Sequence, residues 1–276
     1  MNTSKLLLGM MVFTTLNAAT ASAQSRRSSD RYVSPNEQFS LEGALDMFKR
    51  SSTPEAFEQM LNSPDNDVNN LDLDRNGVTD YIRVVESMEG EDHVFVLQVP
   101  FSHDDAQDIA VIELERTGRE SAMIQIVGDQ ELFGDDNIAE PYEEERQHNY
   151  YRPQGGNGYG PDAYFPEYAP DRIVVNVWSW PIVVRVYAPH YRPWVSPWGW
   201  NRRPVWYRPW RPVPVQVFYP RRSHYRPQYV IVHQHRTVRS HRYYTPMRTR
   251  SARVTTYHGH NGHKVRVVRT PGRRRG

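Results

Sequence analysis

Cysteine is absent from all 276 residues of the chain. Disulfide bridges are therefore excluded, and so is a lipid anchor attached to an N-terminal cysteine. The stability of the fold has to come from packing or from a bound ion. Any loop with ion-binding chemistry gains importance for that reason.

Acidic residues are absent from the C-terminal part of the chain, residues 173–276, which holds 21 Arg and Lys. The preceding 172 residues hold all 32 Asp and Glu with only 13 basic residues, a net charge of −19. We refer to these two parts as the acidic half and the basic half. A charge asymmetry of this size indicates interaction, either with a polyanion or between the halves.

Long apolar runs are missing except near the N-terminus. Lys5 precedes an apolar run from Leu6 to Leu16, and Ala21-Ser22-Ala23 supplies small residues before Gln24. This pattern predicts a signal peptide over 1–23, since the run is shorter than the ~20 residues that span a bilayer. We expect a periplasmic or secreted protein with no transmembrane span after cleavage. Peripheral attachment to the outer membrane is an alternative.

Hydrophobic residues are also few, at 38%, and there are 21 prolines. Globular chains usually hold roughly 45–50% apolar residues, so we expect one folded domain and a large extended region. The acidic half predicts an α+β domain over 37–142, after a disordered leader at 24–36.

Local signals predict the elements of this domain. Ser40 is a suitable N-cap for a helix over Leu41–Lys49, and Thr53-Pro54 begins a second helix. Four strand-like segments joined by short turns favour an antiparallel meander, with the two N-terminal helices packed on one face. These segments are Tyr81–Met88, His93–Val99, Ile109–Leu114 and Met123–Val127.

The chain beyond this domain has a different composition. Residues 143–172 are typical of a linker. Two β-rich runs predict a hairpin over 173–188. It either completes or covers the sheet, which is the favoured interpretation, or exposes Trp and Tyr to a membrane interface or a polysaccharide. Residues 189–276 are rich in Pro, Arg and aromatic residues, which predicts an extended, largely disordered basic region.

One stretch of the acidic half, Asp72–Asp80, carries specific chemistry. Asp72, Asp74, Asn76 and Asp80 offer side-chain oxygens in a short loop, and Gly77 permits a sharp turn. Hard cations prefer such ligands, so the loop predicts a Ca²⁺ site. An EF-hand is excluded, because its twelfth position needs Glu and here is Arg83 in a strand-like segment.

The same loop resembles the loop-then-strand calcium sites of integrin-type propeller blades. The resemblance implies that Asp72, Asp74, Asn76 and Asp80 donate side-chain oxygens and that Val78 donates its carbonyl. The alternative is an acidic hairpin turn without an ion, built around Asn76-Gly77.

A short unit recurs in the basic half, at Tyr191-Arg192-Pro193, Tyr207-Arg208-Pro209 and Tyr225-Arg226-Pro227, with an outlying copy at Tyr151-Arg152-Pro153. Its irregular spacing excludes a solenoid. The chain has 31 Arg but only 3 Lys, which favours bidentate binding of phosphate or carboxylate. The candidate polyanion-binding residues are Arg192, Arg202, Arg203, Arg208, Arg211, Arg221, Arg222 and Arg226.

The partner predicted for these arginines is an anionic envelope polymer or a lipid headgroup, with pairing to the acidic half as an alternative. Nucleic acid fits the chemistry but is less favoured, because an exported protein seldom meets it. Three histidines near a predicted Asn261-Gly262 turn, His258, His260 and His263, could bind a transition metal. Without a fixed fourth ligand, a polar turn is the favoured interpretation.

No catalytic motif is present, so we expect a non-enzymatic protein. A hydrolase with an unfamiliar site is the alternative, and a pocket holding His93 or His103 beside a carboxylate would favour it.

Several segments resemble a set of exported bacterial proteins of unknown function. They are Asn70–Asp74, Asp80–Val84, Leu97–Pro100, Ile126–Asp129 and Val174–Trp178, followed by the Trp/Pro/Arg-rich sequence and basic tail. The resemblance implies an envelope setting and implies no activity.

Overall fold

The computed structural model describes residues 35–103, 105–134, 137–142, 174–248, 253–258 and 264–269. The predicted signal peptide at 1–23, the predicted linker at 143–172 and most of the predicted leader at 24–36 lie outside these residues. The last two residues of that leader begin a short helix, α1, Pro35–Gln38.

The two predicted N-terminal helices are present as α2, Leu41–Arg50, and α3, Pro54–Leu61. Ser40 caps α2 by accepting a hydrogen bond from the Gly43 N–H, and Thr53 caps α3 in the same way from Ala56. These caps satisfy backbone donors that the first turn leaves unpaired, which explains why both helices begin where the sequence indicates. A 3-10 helix, Pro64–Asn66, follows.

Six antiparallel strands form one sheet in sequence order, so the predicted α+β class is confirmed. The four predicted strands are present; three are shifted or extended by one to three residues, whereas the third spans 13 residues in place of the six predicted. Two strands were not predicted, and one of them, β6, belongs to the basic half. The strands are β1 Arg83–Glu89, β2 Asp92–Pro100, β3 Ala106–Gly118, β4 Ser121–Gly128, β5 Ile138–Pro141 and β6 Tyr229–Val232; a one-turn helix, α4 Gln130–Phe133, precedes β5.

The main hydrophobic core contains residues of α2 and α3 together with one face of the sheet. The ring of Phe48 lies 5.2 Å from that of Phe57 and 4.9 Å from that of Phe95, both edge to face. Such aromatic pairs contribute about 0.5–1.5 kcal/mol beyond their buried area.

The hairpin predicted over 173–188 is wrong. Residues 174–180 have no regular structure, and Pro181–Val186 form a short helix, α5. Pro181 occupies the first turn, where its missing N–H costs nothing. Ile182, Val183 and Val186 then bury one face in the main core, so tertiary packing overrides the strand propensity of these β-branched residues.

The prediction of an extended, largely disordered basic region is wrong for residues 189–248. They contain α6, Val215–Arg222, a 3-10 helix, Ser223–Gln228, strand β6, and α7, Val238–Arg248. Buried tyrosines and ion pairs with the acidic half supply the stabilisation that composition alone did not suggest. Farther on, β7, Arg253–His258, pairs with β8, Lys264–Arg269, as the predicted turn at Asn261-Gly262 requires; the turn lies outside the described residues.

The basic half pairs with both edges of the five strands that the acidic half supplies. Val195 forms an antiparallel bridge with Val85 of β1, and the Ser196 N–H donates to the Val84 carbonyl at 3.0 Å. At the opposite edge, β6 pairs with β5. Exposed strand edges invite aggregation, so these contacts protect the sheet. The second face of the sheet is covered by α7, whose Tyr244 packs in a smaller core with Val94.

Candidate functional site

The aspartate loop, residues 72–80, is a tight turn organised by its own carboxylates. The two carboxylate oxygens of Asp72 accept hydrogen bonds from the backbone N–H groups of Asn76, at 2.8 Å, and Gly77, at 2.9 Å. The Asn76 amide nitrogen donates to Asp74 Oδ2 at 3.0 Å. Gly77 has a φ of 85°, a left-handed conformation that glycine adopts without strain.

Negative charge is crowded in this loop. The pKa of Asp80 is raised to about 8, mainly by burial and also by the charges of Asp74 and Asp72, although the Leu73 N–H opposes the change. Burial also raises the pKa of Asp72. A carboxylate oxygen that accepts one hydrogen bond retains a lone pair for a cation. Oxygen donors of this type are those that a hard cation prefers. Among the described residues, however, Asp72, Asp74 and Asp80 do not form a group whose ligand oxygens all lie within 4.8 Å of one another.

The five predicted ligand residues thus lie in one turn, and strand β1 begins three residues after it, as in a loop-then-strand site. Val78 is the most peripheral; its N–H donates to Asn76 Oδ1 at 2.8 Å, and its side chain is 38% exposed.

The basic half holds the end of this loop in place. The Tyr207 hydroxyl donates to the Thr79 carbonyl at 3.0 Å, and the Thr79 N–H donates to the Trp210 carbonyl at 2.8 Å. Upstream, the Asn70 side chain makes two hydrogen bonds with the backbone of Val213, at 2.9 and 2.8 Å. The sequence offered no signal for this contact.

The three Tyr-Arg-Pro units share one mode of docking. In each unit the tyrosine hydroxyl donates a hydrogen bond to an acceptor in the acidic half. The carbonyl of the residue directly after the proline accepts one from a backbone N–H of the acidic half. The hydroxyl acceptors are Glu86 Oε2 for Tyr191, the Thr79 carbonyl for Tyr207 and the Asn66 carbonyl for Tyr225; the N–H donors, in the same order, are Glu86, Thr79 and Tyr142. The unit is therefore an anchor.

The arginine in the middle of each unit, Arg192, Arg208 or Arg226, is exposed. Of the eight candidate arginines, six are exposed and two, Arg203 and Arg222, are half-buried. Arg222 donates to the carbonyls of Asn36 and Phe39, at 2.8 and 2.6 Å. Arg203 lies over the Tyr81 ring, 5.0 Å from its centroid. These two side chains are oriented by the fold itself.

Ion pairs also join the halves. Arg239 binds both carboxylate oxygens of Asp92, at 2.6 and 2.8 Å, and its guanidinium lies 3.4 Å from Glu115. Arg236 lies 3.1 Å from Glu140, and Arg248 pairs with Asp129. Bidentate contacts of this kind fix orientation as well as charge.

A cleft of about 550 Å³ is lined by the end of α2, the segment 175–181 and the neighbouring ends of β5 and β6. Its lining includes Lys49, Arg50, Trp180 and Tyr229, and the Lys49 ammonium lies 5.7 Å from the centre of the Trp180 ring. None of the eight candidate arginines lines it. Sequence reasoning missed these residues because they come from distant segments.

Two buried carboxylates lie under the docked chain. Glu58, 1% exposed, accepts hydrogen bonds from the Tyr81 hydroxyl at 2.6 Å, the Ser196 hydroxyl at 2.8 Å and the Val84 N–H at 2.8 Å. Burial raises the pKa of Glu58, although these hydrogen bonds oppose the change. Glu58 therefore binds the acidic and basic halves together.

The second carboxylate, Glu86, bears on the hydrolase alternative. Its Oε1 lies 2.8 Å from His93 Nδ1, which is the pairing that alternative required. Glu86 is only 3% exposed and His93 2%, and the Tyr187 ring lies 5.1 Å from the imidazole, edge to face. A substrate could not reach this pair, so the contact lends no support to hydrolysis.

Comparisons of the chain with models of known families, with curated proteins and with solved structures each find no match. In the part of the chain that the structure describes, no helix is long and apolar enough to cross a bilayer. The geometry is therefore the basis for a functional proposal.

Proposed function

We propose that this chain is a non-enzymatic exported envelope protein that binds an anionic polysaccharide through its exposed arginines. The observation that carries the proposal is the shared docking of the three Tyr-Arg-Pro units. Each unit buries hydrogen bonds to the acidic half and leaves its arginine in solvent. Anchored backbone reduces the conformational entropy that these arginines lose on binding a polymer.

The chemistry of the surface supports a sugar polymer. Arginine forks bind carboxylate, sulfate or phosphate groups through two parallel hydrogen bonds. An exposed aromatic ring can offer a stacking surface to a sugar, and Trp200 is 53% exposed. The Tyr219 ring instead carries the guanidinium groups of Arg222 and Arg226, at 4.7 and 4.8 Å from its centroid. The cleft with Lys49, Arg50 and Trp180 has the same combination of cation and ring, and a concave site suits a polymer segment better than a planar lipid surface.

We further propose that the aspartate loop binds Ca²⁺ and that the ion has a structural role. The spacing of the oxygen-bearing side chains and the mutual repulsion of Asp72, Asp74 and Asp80 support this assignment. In this proposal the two N-terminal helices packed on the meander, together with the calcium loop, form the base on which the basic half is displayed. Export to the periplasm or exterior is part of the proposal. It is supported by the signal-peptide pattern and by the resemblance to exported bacterial proteins.

The proposal is tested with the full mature chain and a variant carrying Arg192→Gln, Arg208→Gln and Arg226→Gln. The probes are polygalacturonate, vesicles containing an anionic phospholipid, and double-stranded DNA, each titrated at several salt concentrations. We expect tightest binding to the polysaccharide. The slope of log affinity against log salt should fall by about one for each arginine lost.

A matched variant removes three exposed arginines that lie outside the Tyr-Arg-Pro units, Arg119→Gln, Arg185→Gln and Arg242→Gln. It has the same net charge and should retain most of the affinity. Equal losses in both variants would show a nonspecific charge effect and would overturn the proposal. Tighter binding to DNA or to vesicles than to polygalacturonate would replace the polysaccharide with that ligand.

A further inference from the structure

Two histidines and a glutamate from separate parts of the chain meet on the face of the sheet beneath α7. Glu113 lies in β3, His235 in the segment between β6 and α7, and His241 in the second turn of α7. One nitrogen of each imidazole and one carboxylate oxygen all lie within 4.8 Å of one another. This cluster is separate from the aspartate loop and from the arginine surface.

The geometry of the cluster is well defined. His241 Nδ1 lies 2.9 Å from Glu113 Oε1, and the two imidazole rings are 3.8 Å apart with an angle of 36° between them. The Thr237 hydroxyl donates to the other oxygen, Glu113 Oε2, at 2.5 Å. Thr237 therefore orients the carboxylate as an outer partner orients a metal ligand.

The cluster lies partly inside the protein and is not confined to its surface. Glu113 and Thr237 are fully buried, whereas His235 and His241 are half-buried, so the cluster opens to solvent on the imidazole side. A buried carboxylate that faces two imidazoles presents the nitrogen and oxygen donors that first-row transition metals prefer. Calcium, which takes oxygen ligands, does not match this set.

We propose that Glu113, His235 and His241 bind a divalent transition metal, with zinc as the first candidate. Two imidazoles and one carboxylate form a known three-residue zinc ligand set, and solvent supplies the fourth position. Ligand distances of about 2.0–2.2 Å place neighbouring donor atoms roughly 3.3–3.5 Å apart in a tetrahedral site. Small side-chain rotations of the two half-buried histidines close the remaining gap.

The ion ties three elements together: strand β3, the segment before α7, and α7 itself. Its binding stabilises the layer that covers the second face of the sheet. Because the aspartate loop and the zinc cluster lie on different elements, the two ions act independently, and this inference does not depend on polysaccharide binding.

Zinc binding is measured by calorimetry on the full mature chain, purified without a polyhistidine tag and dialysed against a chelator. We expect one tight site per chain. Because one of only three protein ligands is lost, His235→Ala and His241→Ala should each weaken binding by roughly a hundredfold or more. Co²⁺ serves as a spectroscopic probe, and its d–d absorption bands should appear in the unaltered chain and vanish in both variants.

Four further variants make the result decisive. His233→Ala alters an exposed histidine two residues from His235 and should leave affinity unchanged. Replacement of His258, His260 and His263 by Ala tests the C-terminal histidines, and Asp74→Asn tests the calcium loop. Glu113→Gln keeps the size and shape of the buried side chain, which Glu113→Ala would not. It therefore separates the loss of a metal ligand from misfolding. Zinc affinity that survives in His235→Ala and His241→Ala, or that is lost in the C-terminal triple variant, would overturn the proposal.

Discussion

The hydroxyl of Tyr207 donates a hydrogen bond to the carbonyl oxygen of Thr79 at 3.0 Å and so joins the second Tyr-Arg-Pro unit to the aspartate loop. Tyr207 is 6% exposed, and its ring meets the Tyr81 ring edge to face at 4.9 Å. The loop and the basic half are therefore parts of one structure, and changes in either should be felt in the other.

Tyr207→Phe should lower the free energy of unfolding by about 1–1.5 kcal/mol, because it removes a buried hydrogen bond and leaves the Thr79 carbonyl without that donor. Urea denaturation of the full chain measures this loss. Tyr142→Phe is the matched control, since Tyr142 is 43% exposed, and its effect should stay within about 0.5 kcal/mol. Equal effects of the two changes would contradict the anchoring role of Tyr207.

Calcium should stabilise the chain through the aspartate loop. With a dissociation constant of about 10⁻⁴–10⁻³ M, 10 mM Ca²⁺ should add about 1.4–2.7 kcal/mol to the free energy of unfolding. Thermal melts with and without the ion measure this. Asp74→Asn should abolish the response, whereas Asp65→Asn, a change at an exposed position in the preceding 3-10 helix, should leave it intact. An unchanged melt of the unaltered chain in millimolar calcium would refute the site.

Stability should depend on pH through Glu58. Because its pKa is raised in the folded state, the folded chain retains a proton that the unfolded chain releases above the ordinary value of 4.5. The contribution of Glu58 to stability is therefore largest below that pH and decreases as pH rises through the raised pKa.

Glu58→Gln should reduce this dependence, because the amide does not titrate, whereas the raised pKa of Asp80 leaves a separate contribution of the same sign. The Tyr81 and Ser196 hydroxyls can each reverse their roles and accept from the amide nitrogen. Urea denaturation at a series of pH values from 4 to 8 compares the two chains. A slope that persists unchanged in Glu58→Gln would assign the dependence to other groups.

A fragment of residues 35–142 should not fold as a soluble monomer. It lacks the bridge that Val195 makes to β1 and the pairing that β6 makes to β5, so both sheet edges are exposed. Size-exclusion chromatography and circular dichroism should show aggregated or poorly folded material. A longer fragment, 35–248, keeps both contacts and should behave as the full chain does. A monomeric, cooperatively folding short fragment would contradict the structural role of the basic half.

The two N-terminal helices and the aspartate loop could be predicted because short-range hydrogen bonds organise them. Ser40 and Thr53 begin their helices because a capping hydrogen bond reaches only three residues. The aspartate loop could be located for the same reason, since its residues organise one turn through bonds that span two to seven positions.

The packing of the basic half could not be predicted, because it depends on contacts between distant segments. The tyrosine hydroxyls of the three units donate to acceptors that lie 105, 128 and 159 positions away in the chain, for Tyr191, Tyr207 and Tyr225 in that order. Composition carries no information on such contacts, and it predicted an extended region. The β-branched residues of Pro181–Val186 favour a strand, yet the segment is a helix because one of its faces packs in the main core. Glu113 and His241, 128 positions apart, carry no motif, and their pairing exists because β3 and α7 pack against each other. Local hydrogen bonds and periodicity are encoded in short windows of sequence, whereas burial brings distant side chains together only in the folded chain.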